Sequence, residues 1–387
     1  MKRIVSGILI ALLSIGMVTL AFNVQFVKAS SGICIKADGS VDPPTAPIQR
    51  VGDLYTFTDD IWTPIMVQRS NIIIDGNGYA LRGSGYDFAF WLSGVNGVTI
   101  KKTNVLIDDG KWGILLVSSS FNFVFDNNIG SPLVSPSENG ITLAQGSSNN
   151  WISRNKITNN VRGILLDFQY NNNNMIYGNV IKDNCVGILL YLSSNNYNII
   201  YGNNITNNDY GVYFYSSNNK IYHNNFMDNN LQAYDYDLLN VWDDAYPSGG
   251  NYWSDYIGTD NYSGVYQNVT GNDGIGDSPY SIGLGPDMDR YPLMRPWVFS
   301  PQEAVKGLIR DVKSMNLHQG IDNSLDAKLN AVLQSLEALN AKQRNDAVAK
   351  LQSFVNEVEA QKGNKLTVGQ ADYLISEAQR IIDLIEG

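Results

Sequence analysis

The sequence predicts an all-β solenoid, a right-handed parallel β-helix, with a small α-helical bundle after it. Three observations carry this. Asn is in large excess, with 22 of the 45 Asn inside residues 151–230. The same stretch repeats itself, so that Asn155, Asn179, Asn203 and Asn224 recur at intervals of 24, 24 and 21 residues. From residue 300 onward the two-residue alternation of strands gives way to a helical period.

Composition sets the outer limits. A chain of 387 residues, 44% hydrophobic, is long enough for several folded domains. A net charge of -10 argues against a nucleic-acid binder, which needs a basic face. Two His, two Cys and eight scattered Met exclude a zinc-finger framework, a disulfide-dense scaffold and a Met/His-rich copper cage. The acidity is local: residues 228–289 hold 11 Asp and no Lys or Arg.

Residues 1–29 read as a signal peptide. Lys2 and Arg3 precede an uncharged apolar run from Ile4 to Phe22, and Val27-Lys28-Ala29 offers small residues for cleavage. The run is also long enough to anchor the chain if left uncut, which is the one route to a membrane the sequence offers. The mature chain is therefore expected outside the cytoplasm, secreted or at the cell surface. Three sequons, at Asn204, Asn261 and Asn268, lie in it.

Residues 30–69 are read as an N-terminal cap and 70–240 as the coils. A period of 21–24 residues built from short alternating segments and Asn/Gly/Ser turns is too short for a propeller blade and fits one turn of a β-helix. Four inward columns follow: Ile152, Ile176, Ile200 and Ile221; Ile157, Ile181, Ile205 and Phe226; Ile164, Ile188 and Val212; Leu166, Leu190 and Phe214. Asn155, Asn179, Asn203 and Asn224 form one turn ladder, and Asn160, Asn184, Asn208 and Asn229 another, because stacked amides can bond along the axis and Asn tolerates left-handed turns. Tyr177, Tyr201 and Tyr222 each follow an inward Ile, so they are expected to face solvent in one column, with Tyr191 and Tyr215 in a shorter one. Such a strip is either a platform for sugar rings or the plain outcome of high β-propensity.

Residues 241–297 form the acidic closing segment. Asn272, Asp273 and Asp277 surround a Gly-permitted turn, with Asp287 and Asp289 following, and calcium is the expected cation if the cluster binds one. The competing reading is an Asp-Gly turn whose carboxylates accept backbone N–H bonds.

Residues 32–297 resemble the NosD-type "periplasmic copper-binding" family of parallel β-helix proteins. The passages that carry the resemblance are Ser70 to Leu81, the Gly-Asn-x-Ile repeats, Gly250 to Tyr256, Asp273 to Tyr280 and Asp289 to Leu293. Related domains occur in carbohydrate-binding and sugar-cleaving proteins, so the resemblance implies fold more than activity. Copper transfers poorly, because His223 stands alone in the coils. For a hydrolase or lyase, the coils offer Asp108, Asp109, Asp167 and Asp183, with no repeated carboxylate pair among them and hence no catalytic set.

Residues 300–387 are read as four amphipathic helices. Ser300-Pro301-Gln302-Glu303 and Thr367-Val368-Gly369-Gln370 are helix starts, and the first, second, third and fourth helices carry Val305 to Met315, Leu325 to Leu339, Val348 to Val358 and Ala371 to Ile385 inward. One closed four-helix core is expected. The tail resembles FIMAH modules of surface proteins through Gly363 to Thr367 and Gln370 to Ile375. The functional expectation is a non-catalytic surface β-helix that binds or organises glycans or cell-envelope material. The alternatives are a polysaccharide-active enzyme and, less favoured, a copper-binding accessory protein.

Overall fold

The computed structural model describes residues 32–387 apart from 84–85, 108–110, 132–136, 237–238, 284 and 338–340. The segment 1–29, Asp108, Asp109 and Leu339 lie outside the described residues.

Three parallel sheets wind about one axis. Seven successive coils, opening at Ile73, Thr99, Phe123, Trp151, Met175, Ile199 and Lys220, each give one strand to sheet B, one to sheet C and one to sheet A, in that order. The coil Met175–Tyr177, Val180–Lys182, Val186–Leu190 is representative. Register is exact from coil to coil: Ile176 pairs with Ile152 and Ile200, Ile181 with Ile157 and Ile205, and Ile188 with Ile164 and Val212. All four predicted columns are inward and inaccessible. Each buried Ile contributes roughly 1.5–3 kcal/mol by leaving water, and a one-residue slip would turn a whole strand inside out.

The turns are held by Asn. The backbone N–H and the side-chain Nδ2 of Asn155 both donate to Oδ1 of Asn179, at 2.9 and 3.1 Å, and Asn179 repeats this onto Asn203. Asn160, Asn184 and Asn208 do the same, the ladder ending on Asn229. A third ladder, missing from the sequence reading, runs Asn122, Asn150, Asn174, Asn198, Asn219, Asn240. The residue before most ladder Asn is left-handed, as at Arg154 (φ 54), Asn173 (φ 57) and Asp183 (φ 57), which lets the chain turn while the amide points inward. The Gly of each Gly-Ile motif has a different cause. A Cβ on Gly163 would sit 2.6 Å from the carbonyl oxygen of Gly187 on the next coil.

The last coil does not end on open core. Trp253 stacks on Phe226 at 4.3 Å and under Tyr280 at 4.2 Å, and Trp242 stacks on Phe214 at 5.7 Å. The buried carboxylate of Asp289 ties this plug together, accepting from Asn251 N, Trp253 Nε1 and Tyr291 N.

The tail holds helices α1 (Pro301–Ser314), α2 (Gln319–Glu337), α3 (Ala341–Gln361) and α4 (Val368–Glu386). Ser300 Oγ accepts from Glu303 N, and Thr367 and Gln370 form a reciprocal capping box. His318, exposed, caps the start of α2. The expected closed four-helix core is corrected. One continuous apolar cluster joins the helices to the outer face of sheet B, placing Leu308, Val312, Tyr373 and Ile381 with Phe123, Trp151, Met175 and Tyr201. Solenoid and helices belong to one compact unit, Ile33–Gly387.

Candidate functional site

The two tyrosine columns have opposite fates. Tyr177, Tyr201 and Tyr222 point out of the solenoid in one register and stack nearly parallel, 4.8 and 5.5 Å apart. They do not face solvent: each is at most 3% exposed. Helices α1 and α4 lie over them. Arg310 places its guanidinium 4.7 Å from the Tyr201 ring, and Tyr177 donates to Asp311 Oδ2 at 3.0 Å. Alternation along a strand fixes which side of the sheet a residue takes, and an apolar stacked strip is the surface a helix covers best. The expectation of a sugar platform on this column is thereby overturned.

Sheet A keeps its tyrosines open. Tyr191 and Tyr215 follow strands Val186–Leu190 and Tyr210–Phe214, and Tyr236 follows Leu231–Asp235, one coil above the other. Tyr191 and Tyr215 meet edge to face at 5.5 Å, and Tyr215 and Tyr236 are tilted against each other at 5.5 Å. With Leu192 and Ser193 they line an open hollow of about 290 Å³. Tyr236 is 61% exposed, so one ring stands free at the rim. Beside them, Tyr213 stacks on Tyr234 at 4.7 Å and meets Tyr210 edge-on at 5.5 Å. Tyr215 Oη donates to Tyr213 Oη at 3.1 Å. Burial pushes the Tyr213 hydroxyl well above its ordinary value, so it stays neutral. The sequence reading missed Tyr210, Tyr213, Tyr234 and Tyr236. Tyr213 was legible, since it alternates with inward Val212 and Phe214. Tyr234 was not, because the last strand lacks the Gly-Ile signature.

The acidic closing segment uses its carboxylates on its own backbone. Asp277 accepts from Asn261 N, Tyr262 N and Thr259 Oγ1, all at 2.9 Å, and these bonds hold its carboxyl below the usual range against a partial burial penalty. Asp273 accepts from Ile275 N and Gln267 Nε2, while its own N–H and that of Gly274 go to Asp260. Asn272 is exposed in the same loop. Asp289 sits in the plug described above, where burial raises its carboxyl to about 7. Asp287 is likewise raised to about 7, by burial and then by Asp235 beside it. The five predicted ligands thus divide between the loop and the end of the solenoid. Among the described residues no three His, Cys, Asp or Glu converge as a metal site. His223 Nε2 faces Ser248 O at 2.9 Å, and the ring stacks on Trp297 at 5.0 Å. Cys34 and Cys185 are free thiols. Asp183 precedes the sheet A strand of its coil and Asp167 ends one, so the two lie at opposite edges of that sheet.

A solenoid of three parallel sheets, stapled by Asn ladders and plugged by aromatics, defines a parallel β-helix repeat protein. Residues 56–258 match the family described as periplasmic copper-binding protein (NosD), and the chain belongs to that family. No curated protein matches it. Among solved structures, the periplasmic alginate epimerase AlgG is similar. A double mutant of it is 23% identical with a TM-score of 0.35, covering 45% of this chain and 39% of that one. A second AlgG structure is 16% identical with a TM-score of 0.32, covering 49% and 68%. This chain therefore spans about two fifths of the first of these. No helix among the described residues is long and apolar enough to cross a membrane.

Proposed function

We propose that this protein works outside the cytoplasm as a non-catalytic β-helix that binds glycans or cell-envelope material on the outer face of sheet A. The observation that carries this is the tyrosine-lined hollow of Tyr191, Tyr215 and Tyr236 at the last coils. Tyrosine presents a rigid apolar face for a sugar ring and a hydroxyl for its polar edge, at small entropic cost. Its three tyrosines come from three successive coils, an arrangement along the axis that suits an extended chain. The resemblance of the tail sequence to FIMAH modules fits a surface-protein context, and in this reading the helices cover sheet B and leave sheet A as the working face.

Affinity electrophoresis on a panel of soluble polysaccharides, paired with a reducing-sugar assay, tests it. The expected result is retardation by at least one polysaccharide, no released reducing ends, and loss of retardation in Tyr215→Ala with an unchanged melting curve. Release of reducing or unsaturated ends by the intact protein would overturn the non-catalytic reading. Retardation unaffected by Tyr215→Ala and Tyr236→Ala would move the site elsewhere.

A further inference from the structure

A second open hollow, of about 600 Å³, lies along the turn between sheets B and C. Its lining comes from four successive coils: Asn77 and Gly78; Lys102 and Asn104; Asp126 and Asn128; Arg154 and Lys156. Asn104, Asn128 and Lys156 occupy one register position on successive strands of sheet C. The hollow is therefore a straight trough parallel to the axis, with coils roughly 4.8 Å apart.

Its charge is opposite to that of the protein. Arg154 is neutralised by Asp126, at 2.8 and 2.9 Å, and by Glu377 of α4. Neighbouring Lys101 is neutralised by Asp372, at 2.7 Å, with Asp75 at 3.8 Å. Lys102 and Lys156 have no such partner among the described residues, and both are exposed. Two unpaired ammonium groups thus stand in a polar trough on a chain of net charge -10. They are two coils apart, roughly 10 Å along the axis. Asn104 lies beside Lys102 on its coil, and Asn128 lies on the coil between the two lysines. Asn104 Nδ2 donates to Gly78 O at 2.6 Å, which leaves its Oδ1 free to accept, and the Asn128 side chain is exposed.

We propose that this trough binds an acidic saccharide chain, one whose carboxylate or sulfate groups engage Lys102 and Lys156 while its hydroxyls bond the asparagine amides. A repeating anion is required because the two cations sit on different coils, and an amide floor that both donates and accepts suits hydroxyls better than a purely basic surface. A flexible lysine reads charge without fixed geometry, so carboxylate and sulfate are both accommodated. The proposal rests on the glycan reading above and adds a charge requirement at a separate place.

The test uses the intact chain, with polygalacturonate against its methyl ester and a sulfated galactan against the unsulfated polymer. The expected result is tighter binding of either acidic polymer than of its neutral counterpart. In a Lys102→Gln/Lys156→Gln double variant that preference falls on the order of tenfold, with melting unchanged. Raising salt erodes the preference of the parent protein in the same way. If only one acidic polymer is preferred, the arms identify the anion. A preference that survives the double variant, or no preference in the parent protein, overturns the proposal and leaves the tyrosine reading standing if neutral polymers still bind through Tyr215. Binding of no polymer of either kind overturns both.

Discussion

Tyr373 on the last helix meets Tyr177 on a solenoid rung hydroxyl to hydroxyl, and both donate to one carboxylate oxygen of Asp311 on the first helix, at 2.8 and 3.0 Å. All three side chains are buried. Three elements far apart in sequence share one polar contact inside an apolar cluster. Arg154 reinforces it from the neighbouring turn, bonded to Asp126, Glu377 and, at 2.9 Å, Ser376. A buried polar cluster of this kind fixes the register of an interface whose apolar contacts alone would allow sliding. The tail is thus docked at one position on sheet B.

Docking should strengthen in mild acid. Burial raises the Asp311 carboxyl from 3.8 to about 6. The docked state therefore binds that proton more tightly than the unfolded chain does. Its contribution is complete below about pH 4 and is lost as pH rises through about 6. Asp287 and Asp289, both raised to about 7, act in the same direction at the end of the solenoid. Asp311→Asn separates the two. It should flatten the pH dependence of melting between pH 4 and 7 by on the order of 2 kcal/mol. A variant curve parallel to that of the parent protein would show that Asp311 stays ionised.

Removing the ring of Tyr373 should free the tail. The ring stacks on Phe123 at 4.9 Å and meets Phe125 edge-on at 5.7 Å. Tyr373→Ala is expected to cost about 3–5 kcal/mol, as for other large-to-small changes in a packed core. Limited proteolysis should then cut near residues 296–300 and release the helices, while far-ultraviolet circular dichroism keeps its β signal. Tyr373→Phe keeps the stack and loses only the hydroxyl, so it should stay docked.

The fold was legible because a solenoid writes itself in the sequence once per coil. Ile176 and Ile181 each have counterparts at 24 residues on either side, and one misread coil is corrected by the next. The third Asn ladder escaped because Asn174 sits in the run 171–174, where four identical residues hide which one points inward. The fate of Tyr177 was not legible for a different reason. Strand alternation places a side chain outside the sheet, and what then covers it depends on a helix some 200 residues away in sequence. The hint lay in α4, where Tyr373 and Glu377 are buried beside an ordinary apolar stripe, so the helix has two covered faces. The tyrosines of sheet A were half seen because the last coil replaces the Gly-Ile pair with Gln232 and Ala233.

The closing loop should owe its order to Asp277 with or without calcium. Its carboxylate is already occupied by two backbone N–H groups and the Thr259 hydroxyl. A cation would have to displace these donors. Asp277→Ala should lower the melting temperature by a few degrees, about what losing a cluster of charge-assisted bonds costs. The loss should be the same in 1 mM calcium chloride and in chelator. A calcium-dependent rise in the melting temperature of the parent protein, abolished by Asp273→Ala, would instead restore the cation site.

Asn179 gives the sharpest test of the ladders. Its Nδ2 donates to Asn203 Oδ1, Ile152 O and Tyr177 O, at 2.9, 2.9 and 3.1 Å. Its Oδ1 accepts from both nitrogens of Asn155. Asn179→Ala therefore leaves buried groups on two neighbouring coils without partners, and is expected to cost about 2–5 kcal/mol. Asn179→Asp is the more informative change. It keeps the acceptor that Asn155 needs, loses every donor, and buries a carboxylate against carbonyl oxygens. Its deficit should therefore exceed that of the alanine variant at pH 8, and shrink toward pH 4 as the carboxyl protonates and recovers one donor. Exposed Asn268, off the ladders, is the control, and its alanine variant should melt within about 0.5 kcal/mol of the parent protein. Equal losses at Asn179 and Asn268 would mean that the ladders are consequences of the coil and not its cause.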